Sequence, residues 1–148
     1  MRAWQQLASL EASNVLASGP GRRVITQIVV QAPDRLALDV VGGSSTRVNG
    51  DQRWDRNPGG RWTEREAVPV EVPDPFWAER PVAAYVLGRS GAREDITLGY
   101  WNGTPTWYRL VVDRATDRVL QVRMIASGHF MTELYDRFDS APPVVPPA

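Results

Sequence analysis

The hydrophobic positions of this chain change their period once, at a Gly-Pro-Gly break. Over residues 2–17, Trp4, Leu7, Ala8, Ala12 and Val15 recur at helical spacing, and Gly19-Pro20-Gly21 would end the element. The spacing predicts one N-terminal helix, although Glu11 falls near the middle of its apolar face. From Arg22 onward the pattern is strand-like. Residues 22–31 (RRVITQIVVQ) are β-branched and apolar on both faces, as expected for a strand covered on both sides. After a Pro33-Asp34 turn, Leu36, Leu38 and Val40 alternate with Ala37, Asp39 and Val41, which predicts that the first set faces a core.

Turn chemistry then divides the rest into hairpins. Asn49-Gly50 suits a type I′ turn, because both residues tolerate positive φ. Pro58-Gly59-Gly60 reverses the chain before 61–66, and Trp54 and Trp62, flanking it, are expected to pair across the hairpin. Asn102-Gly103-Thr104-Pro105 joins 94–101 to 106–113, residues 113–117 lead into 118–125, and Ser127-Gly128 bends into a last strand at 129–138. Residues 67–81 contain too many prolines for a central strand and read as an excursion with one helical turn at 74–79, after which 82–88 rejoins the sheet. The pattern is mainly antiparallel β, an α+β meander of about eight to ten strands joined by hairpin-length loops. A meander of that length must curl, and the predicted helix can cover its concave face. Residues 1–140 form the domain; 141–148, rich in proline, read as a tail or linker outside the core.

Composition narrows the functions. The 148 residues suit one domain that needs no disulfide or metal to fold. Seventeen basic residues, all Arg, balance seventeen acids, so no net field draws the chain to nucleic acid. With no Cys, thiolate metal sites and cysteine nucleophiles are excluded. The single His, His129, leaves no zinc ligand set, and no Ser sits in a nucleophile elbow. Acid pairs such as Glu64/Glu66, Asp74/Glu79 and Glu94/Asp95 are spaced like solvated charges, so catalysis is not expected and no cofactor is implied. No apolar run approaches the length of a membrane span, and no leader is visible; in an exported protein, leader or membrane parts are expected upstream of Met1.

Four local patterns, in order along the chain, resemble the half-barrel superfamily that includes the lipoprotein carrier LolA, LppX-type mycobacterial lipoproteins and the regulator RseB. They are the opening element with 22–31 and Ala32-Pro33-Asp34-Arg35-Leu36; Val48-Asn49-Gly50-Asp51-Gln52-Arg53-Trp54; Trp107 through Thr116; and Tyr135-Asp136-Arg137-Phe138-Asp139 before the proline tail. The resemblance implies a helix on a strongly curved sheet, an extracytoplasmic location and a groove for lipid. Residues 104–138 are also similar to an extracytoplasmic domain attached to copper-resistance membrane proteins of the CopC/CopD kind, which implies a larger membrane-anchored parent and a copper setting.

Two candidate sites follow. Trp54, Trp62, Tyr100, Trp107 and Tyr108 could line an apolar groove for an acyl chain or a membrane-associated protein partner, or could simply be packing. Arg53, Arg61 and Arg109 stand beside rings on which they could stack. Met124, His129 and Met131 offer soft ligands for Cu(I), with His129 and Met131 on one face if extended; the alternative is that the methionines fill core gaps and His129 caps a turn. A third possibility is a structural spacer with no ligand.

Overall fold

Residues 9–17 alternate as well as they spiral, and the alternation wins. The computed structural model describes residue 4, residues 6–67, 75 and 77, and residues 80–101 and 103–148. Its first strand, β1 (Ser9–Ala17), stands where the expected helix would have continued. Glu11, which interrupts the helical stripe, suits the two-residue period: Leu10 and Ala12 turn to the core while Ser9, Glu11 and Ser13 turn away. Nine register pairs with β2 (Arg23–Gln31) and seven with β11 (His129–Asp136) supply a ladder on both sides, which local helical preference cannot offset.

Between them lie β3 (Arg35–Val40), β4 (Ser45–Asn49), β5 (Gln52–Arg56), β6 (Thr63–Glu66), β7 (Ala83–Ser90), β8 (Arg93–Trp101), β9 (Pro105–Asp113) and β10 (Arg118–Ala126). The eleven strands among the described residues form one antiparallel sheet of order β6-β5-β4-β3-β2-β1-β11-β10-β9-β8-β7. It is open, with β6 and β7 as its edges. Two meanders thus meet at the β1–β11 pair. Register shifts at Val86/Gly88 and Val119/Gln121 interrupt the ladders of β7 and β10, as β-bulges that bend a sheet do. No helix among the described residues is long and apolar enough to cross a membrane.

The turns follow their residues, with one change. The β4–β5 loop is Gly50-Asp51, closed by the Asn49–Gln52 pair. Only Gly50 takes positive φ (63°), the signature of a II′ turn and not of the expected I′. In the β5–β6 connection Gly59 (φ 69°) follows Pro58, and the Gly60 amide donates to Asn57 O at 2.9 Å, as a type II turn requires. Trp54 pairs with Glu64, not across the hairpin with Trp62. The helical turn expected at 74–79 lies outside the described residues, apart from Pro75 and Trp77.

Register assigns each side chain to one of two faces. Leu10, Ala12, Ile28, Val30, Leu110, Val119, Val122 and Tyr135 share the core face, where Trp4, Leu7 and Trp77 pack onto them. Val122 is completely buried there. Leu36, Leu38 and Val40 share that face but are only half-buried, whereas Ala37, on the outer face, is buried. Ala37 is small and lies between the larger register partners Val29 and Arg47, so its neighbours shield it. The chain leaves β6 at one edge of the sheet and enters β7 at the other, and Trp77 marks where that connection passes over the core face. The tail expected to stand clear of the core docks instead. Val144 is buried and its amide donates to Gln31 Oε1 at 2.7 Å, while the Ala141 amide donates to Ser9 Oγ.

Candidate binding face

The core face changes character along the strands. Near the start of β1 it is closed by rings. Trp4 stands edge-on to Trp77 (centroids 5.2 Å apart, 77° between planes) and to Tyr135 (4.8 Å, 76°). Trp77 Nε1 donates to Tyr135 Oη at 3.1 Å, and Tyr100 Oη donates to the Trp77 carbonyl at 2.6 Å. Tyr100 also meets Tyr108 edge-on at 5.2 Å. These are favourable quadrupole geometries with the phenol and indole polar ends satisfied. The exception is the buried indole N–H of Trp4, which has no hydrogen-bond partner among the described residues.

Further along the strands the cover thins. Leu16, Met124, Met131, Leu98 and Tyr108 occupy the same face in successive register positions and are half-buried. Val24 and Val86, on this face toward the two sides, are 47% and 56% exposed. An apolar sheet face left partly uncovered is unusual, because burying it is the main source of stability.

In the middle of this apolar field sits a carboxylate. Glu133 is buried between Asn14 and Val122, and Asn14 Nδ2 donates to its Oε2 at 3.2 Å. Loss of hydration raises its pKa above the usual glutamate value, and hydrogen bonds involving Asn14 and Tyr135 offset only part of that. Tyr135 is likewise pushed up, first by burial and then by the Glu133 charge, so its phenol keeps its proton. Glu133 carries no motif in sequence. Its one signal is that it falls at an inward position of the alternating last strand, two residues before Tyr135.

The aromatic residues proposed from sequence divide between the faces. Tyr100 and Tyr108 lie on the core face. Trp54 and Trp107 lie on the outer face, since their register partners are Arg47 and Ile125. Trp62 precedes β6, with the guanidinium groups of Arg56 and Arg47 at 4.6 and 5.3 Å from its ring centroid. Beside it, burial pushes the Asp39 carboxyl up, but hydrogen bonds from Arg47 and Ser45 and the nearby cations outweigh this and leave it below its usual range. Met124 and Met131 are direct register partners, and His129 lies two residues along the same face. His129 is exposed, with Nδ1 at 3.3 Å from Ser127 O. No cluster of three His, Asp or Glu capable of holding a metal occurs among the described residues.

Because the native state holds the Glu133 proton more tightly than the unfolded chain does, stability contributed at this site falls as pH rises from the unfolded value through the folded one. Glu133→Gln should therefore be more stable than wild type by about 1 kcal/mol or more at about pH 7, the gap closing by about pH 4. Urea unfolding of both proteins across that range measures it; a gap independent of pH would show that Glu133 is not held against its charge.

No protein-family model and no curated protein matches the sequence. Solved structures do match the fold. The chain superposes on LprF from Mycobacterium bovis with a TM-score of 0.63 at 10% identity, over 99% of this chain and 92% of that one. It superposes on the lipoprotein LppX of Mycobacterium tuberculosis with a TM-score of 0.63 at 8% identity, over 97% and 93%. A LolA superfamily protein from Nitrosomonas europaea reaches only 0.36 at 8% identity and adds nothing to this. The fold of this chain is that of LprF and LppX, with its opening residues 9–17 built as a central strand.

Proposed function

We propose that this chain is a non-catalytic, extracytoplasmic binding module that takes a hydrophobic ligand, an acyl chain in particular, along its core face. The observation that carries the reading is the incomplete cover of that face between Leu16, Met124, Met131 and Tyr108. Two features shape the ligand. The ring cluster of Trp4, Trp77 and Tyr135 fills the space near the start of β1, so a chain would lie over the thinner-covered part and end against the rings. The Trp4 N–H, which has no partner among the described residues, is buried within that cluster, so the end of a chain would meet the rings and not an accessible donor. The likeness in fold to a protein described as a lipoprotein supports the extracytoplasmic placement.

Cis-parinaric acid, a fluorescent fatty acid, tests this. Wild type should bind it. Met131→Glu, which sets a charge on the apolar face, should weaken binding by at least about tenfold. Trp107→Ser, on the outer face, should leave binding unchanged. No binding by wild type, or equal binding by a folded Met131→Glu protein, overturns the reading.

A second reading rests on the register that sets Met124 opposite Met131 with His129 on the same face. Two thioethers and an imidazole suit Cu(I), as in an accessory domain of a copper-resistance system. Titration with Cu(I) should then give binding that His129→Ala weakens by at least about tenfold; equal affinity of the two proteins removes this reading.

A further inference from the structure

The two rims of the sheet differ sharply in charge and in polarity. Every strand runs antiparallel to its neighbours, so the connections alternate between rims. One rim carries the turns β1–β2, β3–β4, β5–β6, β8–β9 and β10–β11, together with the approach to β7. The described residues of these turns, with the strand residues bordering them, contain Arg22, Arg23, Arg56, Arg61, Arg80 and His129 and no Asp or Glu. The opposite rim holds Asp34, Asp51, Glu66, Asp113, Asp117, Asp136 and Asp139 beside its arginines. A chain of zero net charge is thus polarised along its strands.

The basic rim also carries exposed apolar side chains. Val41, Val82 and Trp101 sit on it, and Phe130 and Ile125 lie one residue in from the β10–β11 turn. On the outer face Phe130, Ile125 and Trp107 are successive register partners across β11, β10 and β9, each 44–56% exposed. The Trp107 ring lies flat enough over Gly99 that a Cβ there would stand 2.9 Å from it, so the glycine leaves room for the indole to rest on β8. Between the β3–β4 and β5–β6 turns an open cleft of about 390 Å³ has Arg56 as its one charged side chain.

We propose that this rim docks on an anionic lipid surface. Exposed aromatic and aliphatic side chains beside a local excess of arginine complement a negatively charged interface: the rings enter the headgroup layer and the arginines meet phosphates. A second copy fits poorly, because a two-fold contact through the stripe would bring the two arginine-rich rims together. Nucleic acid fits less well, since the aliphatic Ile125, Val41 and Val82 that share the surface with the rings gain nothing from stacked bases, whereas all of them gain from hydrocarbon. This docking is separate from ligand binding on the core face.

Flotation with vesicles tests it. Wild type should float with phosphatidylglycerol-containing vesicles at low salt, and float far less at high salt or with pure phosphatidylcholine. The double variant Arg22→Glu/Arg23→Glu should lose at least about tenfold in partitioning. Phe130→Ser/Trp107→Ser should lose a similar amount, together with the tryptophan blue shift on vesicle addition. Arg114→Glu on the opposite rim should bind as wild type does, and so should Met131→Glu, which separates this outcome from that of fatty-acid binding. Absence of flotation, equal flotation of the Arg22/Arg23 variant, or the stripe proving to be a dimer contact in sedimentation would each overturn the proposal.

Discussion

The structure depends on the ladder between β1 and β11. Those strands lie more than a hundred residues apart in sequence, with Ala12 opposite Tyr135 and Leu16 opposite Met131. Without that pairing the sheet is two separate meanders, β1–β6 and β7–β11. Each ladder hydrogen bond nets only about 1 kcal/mol against water, so the bonds alone do not explain the seam. What favours it is the apolar surface it brings together: Leu10 and Ala12 from one meander, Tyr135, Val122 and Leu110 from the other, roofed by Trp4, Leu7 and Trp77. The β6–β7 connection links the two far edges through the chain itself, and its Trp77 bonds to Tyr135 and Tyr100, both of the second meander.

Joining the meanders produces one continuous apolar face too wide for the cover the chain supplies. The rings and the docked tail close part of it. The remainder stays half-exposed and contains Glu133, a carboxylate whose burial works against stability. A sheet selected only for stability would place an apolar residue there, and the same holds for the exposed stripe on the outer face. Both departures are understandable if the molecule meets apolar partners, one on the core face of the sheet and one at its rim.

Much of this was legible in the sequence, for identifiable reasons. Turns with strong chemistry, such as Pro58-Gly59 and Ser127-Gly128, fixed where strands begin, and strongly alternating segments such as 94–101 and 118–125 fixed their type. Residues 9–17 were misread because Trp4, Leu7, Ala12 and Val15 satisfy a helical period while Leu10 and Ala12 satisfy a strand period. Only the distant partner decides between them. Face assignment was the second obstacle. Trp54 and Trp107 look like groove residues by type, yet register turns both outward, and a bulge at Val119/Gln121 shifts the alternation in β10. The polarity of the rims was present in the sequence too, but only the order of the strands shows that the arginine-bearing turns share a side.

The most direct test of this account is the set of backbone nuclear Overhauser effects in residues 9–17, measured with amide exchange. A central β1 requires Hα–Hα contacts across the pairs it forms with β2 and β11, such as contacts from Ala12 toward Tyr135, and amides of the segment protected as strongly as any in the protein. Sequential amide–amide contacts with helical i to i+3 connections, or rapid exchange throughout the segment, would contradict it and separate the two halves of the sheet.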